Sequence, residues 1–337
     1  MKKLINNFIK NICIWYIHRY GLSIINKKYL YPWQRNITFK SNYNKNTFLP
    51  SNASEYLTRS NPKLIKLKQA YNEFISIENN LWKEGYIEDE HILYFRGDNP
   101  YVWQKRGRDL NIMSYTMTYF YLKNNDKDHI LLKNNEDESF GIETFKINNQ
   151  IISRDLLDSV NEIIFIKKHI LINETKKINI LDIGAGYGRL AHRVVETLTE
   201  VKKYYCTDAI AESTFISEYY IKYRKLQNKI SVIPLHEVEL LLEKLTIDLV
   251  INIHSFSEMD ESFIKYWIKI ISNKKIKYLF IIPNTKDKLI SYNGSNFQSI
   301  IESLGYKLII KKPKYNEPIL QEYGLNPTYY YLFKYDN

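Results

Sequence analysis

The chain has 337 residues, 45% of them hydrophobic, and a formal net charge of +11. That length buries at least one substantial core and suggests about two domains. Only Cys13 and Cys206 are present, which excludes a disulfide framework, and no Cys/His cluster has metal-ligand spacing; a reducing, cytoplasmic setting is expected and no metal.

The basic balance admits nucleic acid, anionic membrane or anionic substrates, but no run of five or more basic residues occurs. Charge scattered over solvated faces also accounts for it. Near the start, Leu4, Ile5, Phe8, Ile9, Ile12 and Tyr16 recur at helical spacing among Lys2, Lys3, Lys10 and Arg19. The apolar run is far short of a membrane span. Two readings stay open: a helix docked on its own domain, or residues 2–20 lying on an anionic membrane surface.

Residues 34–60, rich in Asn, Ser and Lys, read as a loose connector. Helices are predicted over 61–84, 109–124 and 153–171, the last capped by Ser153 or Asp155 with Leu156, Leu157, Val160, Ile163 and Ile164 as its apolar face. "FGIETFKINNQII" (140–152) reads as a hairpin around Asn148–Asn149. Upstream, "YFRGDNPYVWQKRGRD" (94–109) is dense in chemistry. Asp98, Tyr101, Trp103 and Gln104 suit a sugar-facing loop, because aromatic faces pack on pyranose CH groups while polar tips bond hydroxyls. An ordinary structured loop is the competing reading.

From 178 onward, strand-like runs alternate with helical stretches, the pattern of a parallel sheet with crossover helices. Strands are predicted at 178–183, 202–207, 230–233, 247–253, 278–283, 306–312 and 328–335. Helices fit at roughly 188–199, 212–226, 236–244, 260–271 and 295–304. Prolines in "PKYNEPILQEYGLNP" exclude an ordinary crossover helix before the last strand, so that strand is expected to run antiparallel. The predicted organisation is an N-terminal extension over 1–50, a mostly helical cap over 51–175 and an α/β sheet domain over 176–337.

"NILDIGAGYGRL" (179–190) places Gly184, Gly186 and Gly188 at relative positions one, three and five. A dinucleotide fingerprint needs its third glycine at position six, which here is Arg189. A Gly-rich bend lets backbone approach a ligand without Cβ interference, and the following helix start favours an anion. Asp182 precedes the bend, and Asp208 ends the next strand, where a carboxylate can accept from a ribose diol. This D-x-G-x-G-x-G run resembles the first motif of class I S-adenosylmethionine-dependent methyltransferases, whose Rossmann-like seven-stranded sheet ends in a late antiparallel hairpin. The resemblance implies S-adenosylmethionine as cofactor, with Asp208 on its ribose, Asp182 at its methionine end, and Gly184, Ala185, Gly186 and Gly188 forming the cradle. It leaves the adenine contact among Leu235, His236 and Glu237. Asn252, at the end of the fourth strand, is counted with the cofactor contacts.

Amino-methylating members carry an Asn/Asp-Pro-Pro-aromatic turn after the fourth strand; here "NIHSFSEMD" (252–260) has no proline pair. A hydroxyl acceptor must instead lose its proton as oxygen attacks the sulfonium methyl, and His254 or Glu258 can take it. Together "SRDLLDSVNEI", "LDIGAGYGRLAHR", "INIHSFSEM" and "NEPILQEYGLNPTYYYLFK" resemble the bacterial sugar O-methyltransferases found with polysaccharide genes, over roughly residues 55–337. That resemblance implies a sugar or glycan-precursor acceptor in surface-polysaccharide biosynthesis; another small-molecule hydroxyl is the alternative, ahead of RNA or a non-catalytic cofactor-binding role. No nucleic acid is expected, because no recognisable RNA-binding module or amine-type turn occurs. Arg154 either pairs with the cofactor's methionine carboxylate or forms an i,i+4 surface pair with Asp158.

Overall fold

A computed structural model describes residues 47–74, 87–98 and 112–336. The helix expected over 2–20 lies outside these residues, as do Tyr101, Trp103 and Gln104.

Seven strands form the sheet: β1 (Ile178–Ile183), β2 (Val201–Thr207), β3 (Ile230–Val232), β4 (Leu249–Ile253), β5 (Tyr278–Ile282), β6 (Tyr306–Pro313) and β7 (Tyr329–Tyr335). Each begins and ends within two residues of its predicted span. Their order is β3-β2-β1-β4-β5-β7-β6. The first five run parallel, and β7 is antiparallel to both β5 and β6. This is the expected Rossmann-like seven-stranded sheet with its late antiparallel hairpin. Every residue of β5 is buried, as expected of a central strand covered on both faces.

Helices α4 (Arg189–Thr197), α5 (Ala211–Tyr223), α6 (Val238–Lys244), α7 (Glu261–Asn273) and α8 (Gln298–Ser303) occupy the predicted crossovers. The β6–β7 connection departs from expectation, since it holds a six-residue helix α9 (Pro318–Tyr323). Pro318 stands at its first turn, where the missing N–H costs nothing.

Upstream, the long elements among the described residues are helices: α1 (Pro62–Phe74), α2 (Ile112–Asn125) and α3 (Arg154–His169). The predicted hairpin pairs Phe145–Ile147 with Gln150–Ile152. Asn148 and Asn149 both take positive φ (49° and 65°), the backbone of a tight hairpin turn. The expected loose connector is partly structured: Ala53–Tyr56 is helical, with Ala53 and Leu57 in the core. One apolar cluster runs from Ala53 to Phe333, so the cap shares its core with the sheet.

The α3 expectation needs correction. Ser153 caps it, accepting from Leu156 N at 3.0 Å, but the helix is not one-faced. From Arg154 to Ile163 every residue is buried, polar ones included, whereas Ile164 is only half-buried. Elements close over both sides of α3, so its charged residues meet partners instead of water.

Candidate functional site

The chain leaves β1, builds β2 and β3 on one side, then returns to place β4 on the other side of β1. In open α/β sheets this reversal opens a crevice at the carboxyl ends of the strands. The glycine turn after β1 and the turn after β4 border that crevice.

The three glycines have positive φ and do different work. At Gly184 (φ +78°) a Cβ would stand 2.1 Å from Ser255 Oγ, so the glycine admits the turn after β4. At Gly188 (φ +87°) it would meet Ile221 and Ser217 at 3.3 Å, where α5 packs. At Gly186 (φ +57°) it would meet no described atom within 4 Å. That open space over a bare Cα is where a ligand can approach. Backbone N–H groups of Gly184 and Ala185 are tied to the Thr207 carbonyl at 2.9 and 3.2 Å, which welds the turn to the end of β2.

Asp208 follows. Its Oδ2 accepts from Gly186 N (2.9 Å) and its Oδ1 from Ile210 N (2.9 Å). Burial pushes this carboxyl up to about 6 against the lowering effect of those two N–H groups, and the Glu258 charge adds to the rise. The Ser213 side chain is a further hydrogen-bond donor to this carboxylate, which as an acceptor-only group of two oxygens can still take another. Asp182, at the end of β1, accepts from the Tyr204 hydroxyl at 2.8 Å, and burial raises it to about 7. Two acids thus sit at one crevice edge, both held above the usual carboxylate range by burial, although Arg189 pulls Asp182 the other way.

Across the crevice, β4 ends in a constrained turn. Asn252 spends its amide within the protein: Nδ2 donates to the Ile183 carbonyl (2.9 Å) and Ser255 Oγ (2.6 Å), while Oδ1 accepts from Phe256 N (3.0 Å). Ser255 Oγ in turn donates to the Ile183 carbonyl at 3.1 Å. His254 is held at φ 67°, ψ −36°, a region that L-residues rarely adopt. Its N–H reaches the Ile282 carbonyl at 2.7 Å and its carbonyl accepts from Ser257 N at 2.9 Å. Glu258 Oε1 accepts from Asn284 Nδ2 at 2.9 Å, so the turn is braced against the end of β5.

The start of α3 is clamped over the glycine turn. The Tyr187 hydroxyl donates to Asp155, and Arg189 donates to Ser159 (2.8 Å) and bidentately to Glu162 (2.9 and 3.0 Å). Arg189, the residue that breaks the dinucleotide pattern, therefore serves to dock α3. Arg154 does form the i,i+4 contact with Asp158 (Nε to Oδ2, 3.3 Å), but it is buried, not at the surface. Asp158 also takes Lys314 Nζ at 2.5 Å. Asp98 is fully buried instead of being presented on an open loop. Its charge, with those of Asp158 and Asp155, adds to burial in raising the Tyr115 phenol, and Arg154 opposes them.

A second buried cluster fastens the cap. Glu136 accepts from Arg96 (2.5 Å), Arg193 of α4 (2.8 Å) and Ser153, the α3 cap. These cations hold Glu136 below the usual range although burial pulls the other way.

At the third-strand turn Leu235 is buried and its N–H donates to the Tyr71 hydroxyl of α1 at 2.9 Å. Sequence reasoning missed Tyr71, Tyr187, Glu162 and Ser255, each defined by a partner far along the chain. Among the described residues no three His, Cys, Asp or Glu side chains gather to hold a metal ion, and no helix is long and apolar enough to cross a membrane.

These residues fit S-adenosylmethionine. The bare Gly186 leaves room for its adenosyl-methionine backbone, Asp208 offers acceptors to a diol, and two under-compensated carboxyls suit a ligand bearing cationic sulfonium and ammonium groups.

No protein-family profile and no curated protein matches the chain. Among solved structures, Streptococcus pneumoniae Sp1610, to which tRNA (m1A22) methyltransferase activity is ascribed, is similar at 12% identity and TM-score 0.38, over 51% of this chain and 69% of that one. M. capricolum TrmK, in complex with S-adenosyl-homocysteine, is similar at 20% identity and TM-score 0.35, over 52% and 70%. Magnesium protoporphyrin IX methyltransferase from Synechocystis PCC 6803, with bound S-adenosylmethionine, is similar at 10% identity and TM-score 0.40, over 68% and 99%.

Proposed function

We propose that the chain is an S-adenosylmethionine-dependent O-methyltransferase acting on a hydroxyl of a sugar or glycan precursor. The observation that carries this reading is the crevice itself. An open glycine cradle with Asp182 and Asp208 on one edge faces, across the β1–β4 switch point, a histidine held in an uncommon backbone conformation. Strain of that kind persists where surroundings over-determine it and is common at functional sites.

The cofactor supplies a methyl group on a positively charged sulfur. Asp208 binds the ribose hydroxyls, Asp182 faces the methionine end, and Gly184, Ala185 and Gly188 shape the turn. Arg154, close to the glycine turn through α3, meets the methionine carboxylate. His254 accepts the acceptor's hydroxyl proton as its oxygen attacks, and Glu258 orients that ring or the acceptor. Tyr101, Trp103 and Gln104 belong to the acceptor side, and residues 2–20 to contact with the cytoplasmic membrane surface.

The hydroxyl preference rests on the β4 turn, which supplies a proton acceptor and lacks the proline pair used for neutral nitrogen nucleophiles. Methyl-labelled S-adenosylmethionine, incubated with nucleotide sugars, lipid-linked glycan precursors and bulk RNA, tests the assignment. Base-stable label in a sugar fraction is expected. Label confined to RNA overturns it.

A further inference from the structure

Helix α1 belongs to the cap yet lies along α5 and reaches the third-strand turn. Lys68 pairs with Glu212 at 2.5 Å, Lys63 pairs with Glu218, and Tyr56 stacks on Phe215 with ring centroids 5.2 Å apart. These contacts deliver Tyr71, 4% exposed, to a junction between two parts of the crevice wall. Its hydroxyl accepts from Leu235 N at 2.9 Å and shares a hydrogen bond with Thr214 Oγ1 at 2.7 Å. Thr214 lies in the first turn of α5, six residues after Asp208; Leu235 opens the turn after β3. The edge of the Tyr71 ring also meets His236, with centroids 5.8 Å apart.

We propose that Tyr71 is a positioning residue for the adenine end of the cofactor site, joining the cap to the wall formed by Leu235 and His236. The inference rests on the cofactor reading above. β3 pairs with the end of β2 that leads into Asp208, and Ile233 N donates to the Cys206 carbonyl at 2.8 Å, so the third-strand turn lies beside the proposed ribose site, where a nucleobase would reach it. With the Leu235 N–H committed to Tyr71, the turn presents the Leu235 side chain and His236 in one orientation. The half-buried His236, next to the buried Leu235, offers a polar edge to a purine base. Burial raises the Tyr71 phenol to about 12, so the hydroxyl stays protonated and able to donate to Thr214 while accepting from Leu235.

Tyr71→Phe in the full chain tests the proposal, with S-adenosyl-homocysteine and adenosine as probes in calorimetry. Loss of one hydrogen-bonded tie of this kind is expected to raise both dissociation constants about tenfold and by the same factor. The melting temperature should move by no more than about 5 °C, and the Leu235 amide should exchange faster with solvent. Unchanged affinity for both probes overturns the proposal, as does weakened homocysteine-conjugate binding with unaltered adenosine binding, which would put the effect at the methionine end. If Tyr71→Phe does not fold, Thr214→Val, which releases the same hydroxyl from its other partner, carries the same expectations at about threefold. A wild-type chain that binds neither probe refutes the cofactor reading itself, and the proposal with it.

Discussion

Ser255 Oγ occupies the space that a side chain on Gly184 would need: an ideal Cβ there would stand 2.1 Å away. The two turns bordering the crevice are thus fitted to one another. Gly184→Ala forces them apart and also places alanine at φ +78°, so a loss of about 2–4 kcal/mol is expected in urea unfolding. Ser255→Gly removes the clash together with that hydroxyl's bonds to Asn252 and the Ile183 carbonyl, so the Gly184→Ala step measured in the Ser255→Gly background should fall to the backbone strain, roughly 1 kcal/mol. A step as large in that background as in wild type would show that the contact is not the cause.

Gly186 tells the opposite story, with open space around its Cα. Gly186→Val is expected to fold, at a cost of about 1–2 kcal/mol for positive φ, yet to lose binding of S-adenosyl-homocysteine because the branched side chain fills the cradle. Calorimetry against the melting curve separates the two effects. Normal affinity in a folded variant would remove the turn from the site.

Asp182 and Asp208 carry a pH signature. Both carboxyls lie above their ordinary value near 3.8, at about 7 and about 6. Cationic groups of S-adenosylmethionine favour the ionised forms, so binding near pH 6.5 should release protons and affinity should rise with pH through that window. Calorimetry in buffers of different ionisation enthalpy reads this directly; heats that ignore the buffer would contradict it. Asp208→Ala should weaken binding by about 1–3 kcal/mol.

The same shift affects folding with a sign opposite to most acids. A raised folded-state pKa contributes stability below the unfolded value that is lost as pH rises through the folded one. Asp182→Asn should therefore match wild type below pH about 4 and exceed it above about 7. Asp158 and Asp137, both held down to about 2, behave conversely: their contribution is full above about 4 and disappears as pH falls toward 2. Glu136→Ala leaves buried Arg96 and Arg193 without their shared carboxylate and should cost about 3–5 kcal/mol. A loss under about 1 kcal/mol would mean that the cap is held by its apolar contacts alone.

His254 bears the chemistry in our reading. Once an acceptor is in hand, His254→Ala should reduce turnover by roughly 10²–10⁴-fold while leaving S-adenosyl-homocysteine affinity near normal. Retention of more than about a tenth of wild-type turnover would move the base elsewhere, to Glu258 before the buried Asp98.

What the sequence determined by itself is local. Apolar runs placed all seven strands: continuous where both faces are buried, as in β5, and alternating where one face is open, as in β6. The glycine turn, Asp182 and Asp208 were legible because strand, turn and helix are contiguous, and backbone conformation there depends on neighbours. Asn148–Asn149 marked its hairpin for the same reason. Tertiary structure decided everything that depends on which surfaces meet. Arg189 looked like a flaw in a fingerprint until Glu162, 27 residues upstream, came within reach. The polar residues of α3 suggested a solvated face, and the closing of elements on both sides turned them into buried partners. Tyr71 carried no signal of its own within the helix predicted over 61–84, yet its hydroxyl meets a backbone N–H 164 residues away. Periodicity and turn preference act between neighbours in the chain, whereas these pairings follow from how α1, α3 and the sheet pack, which no local pattern encodes.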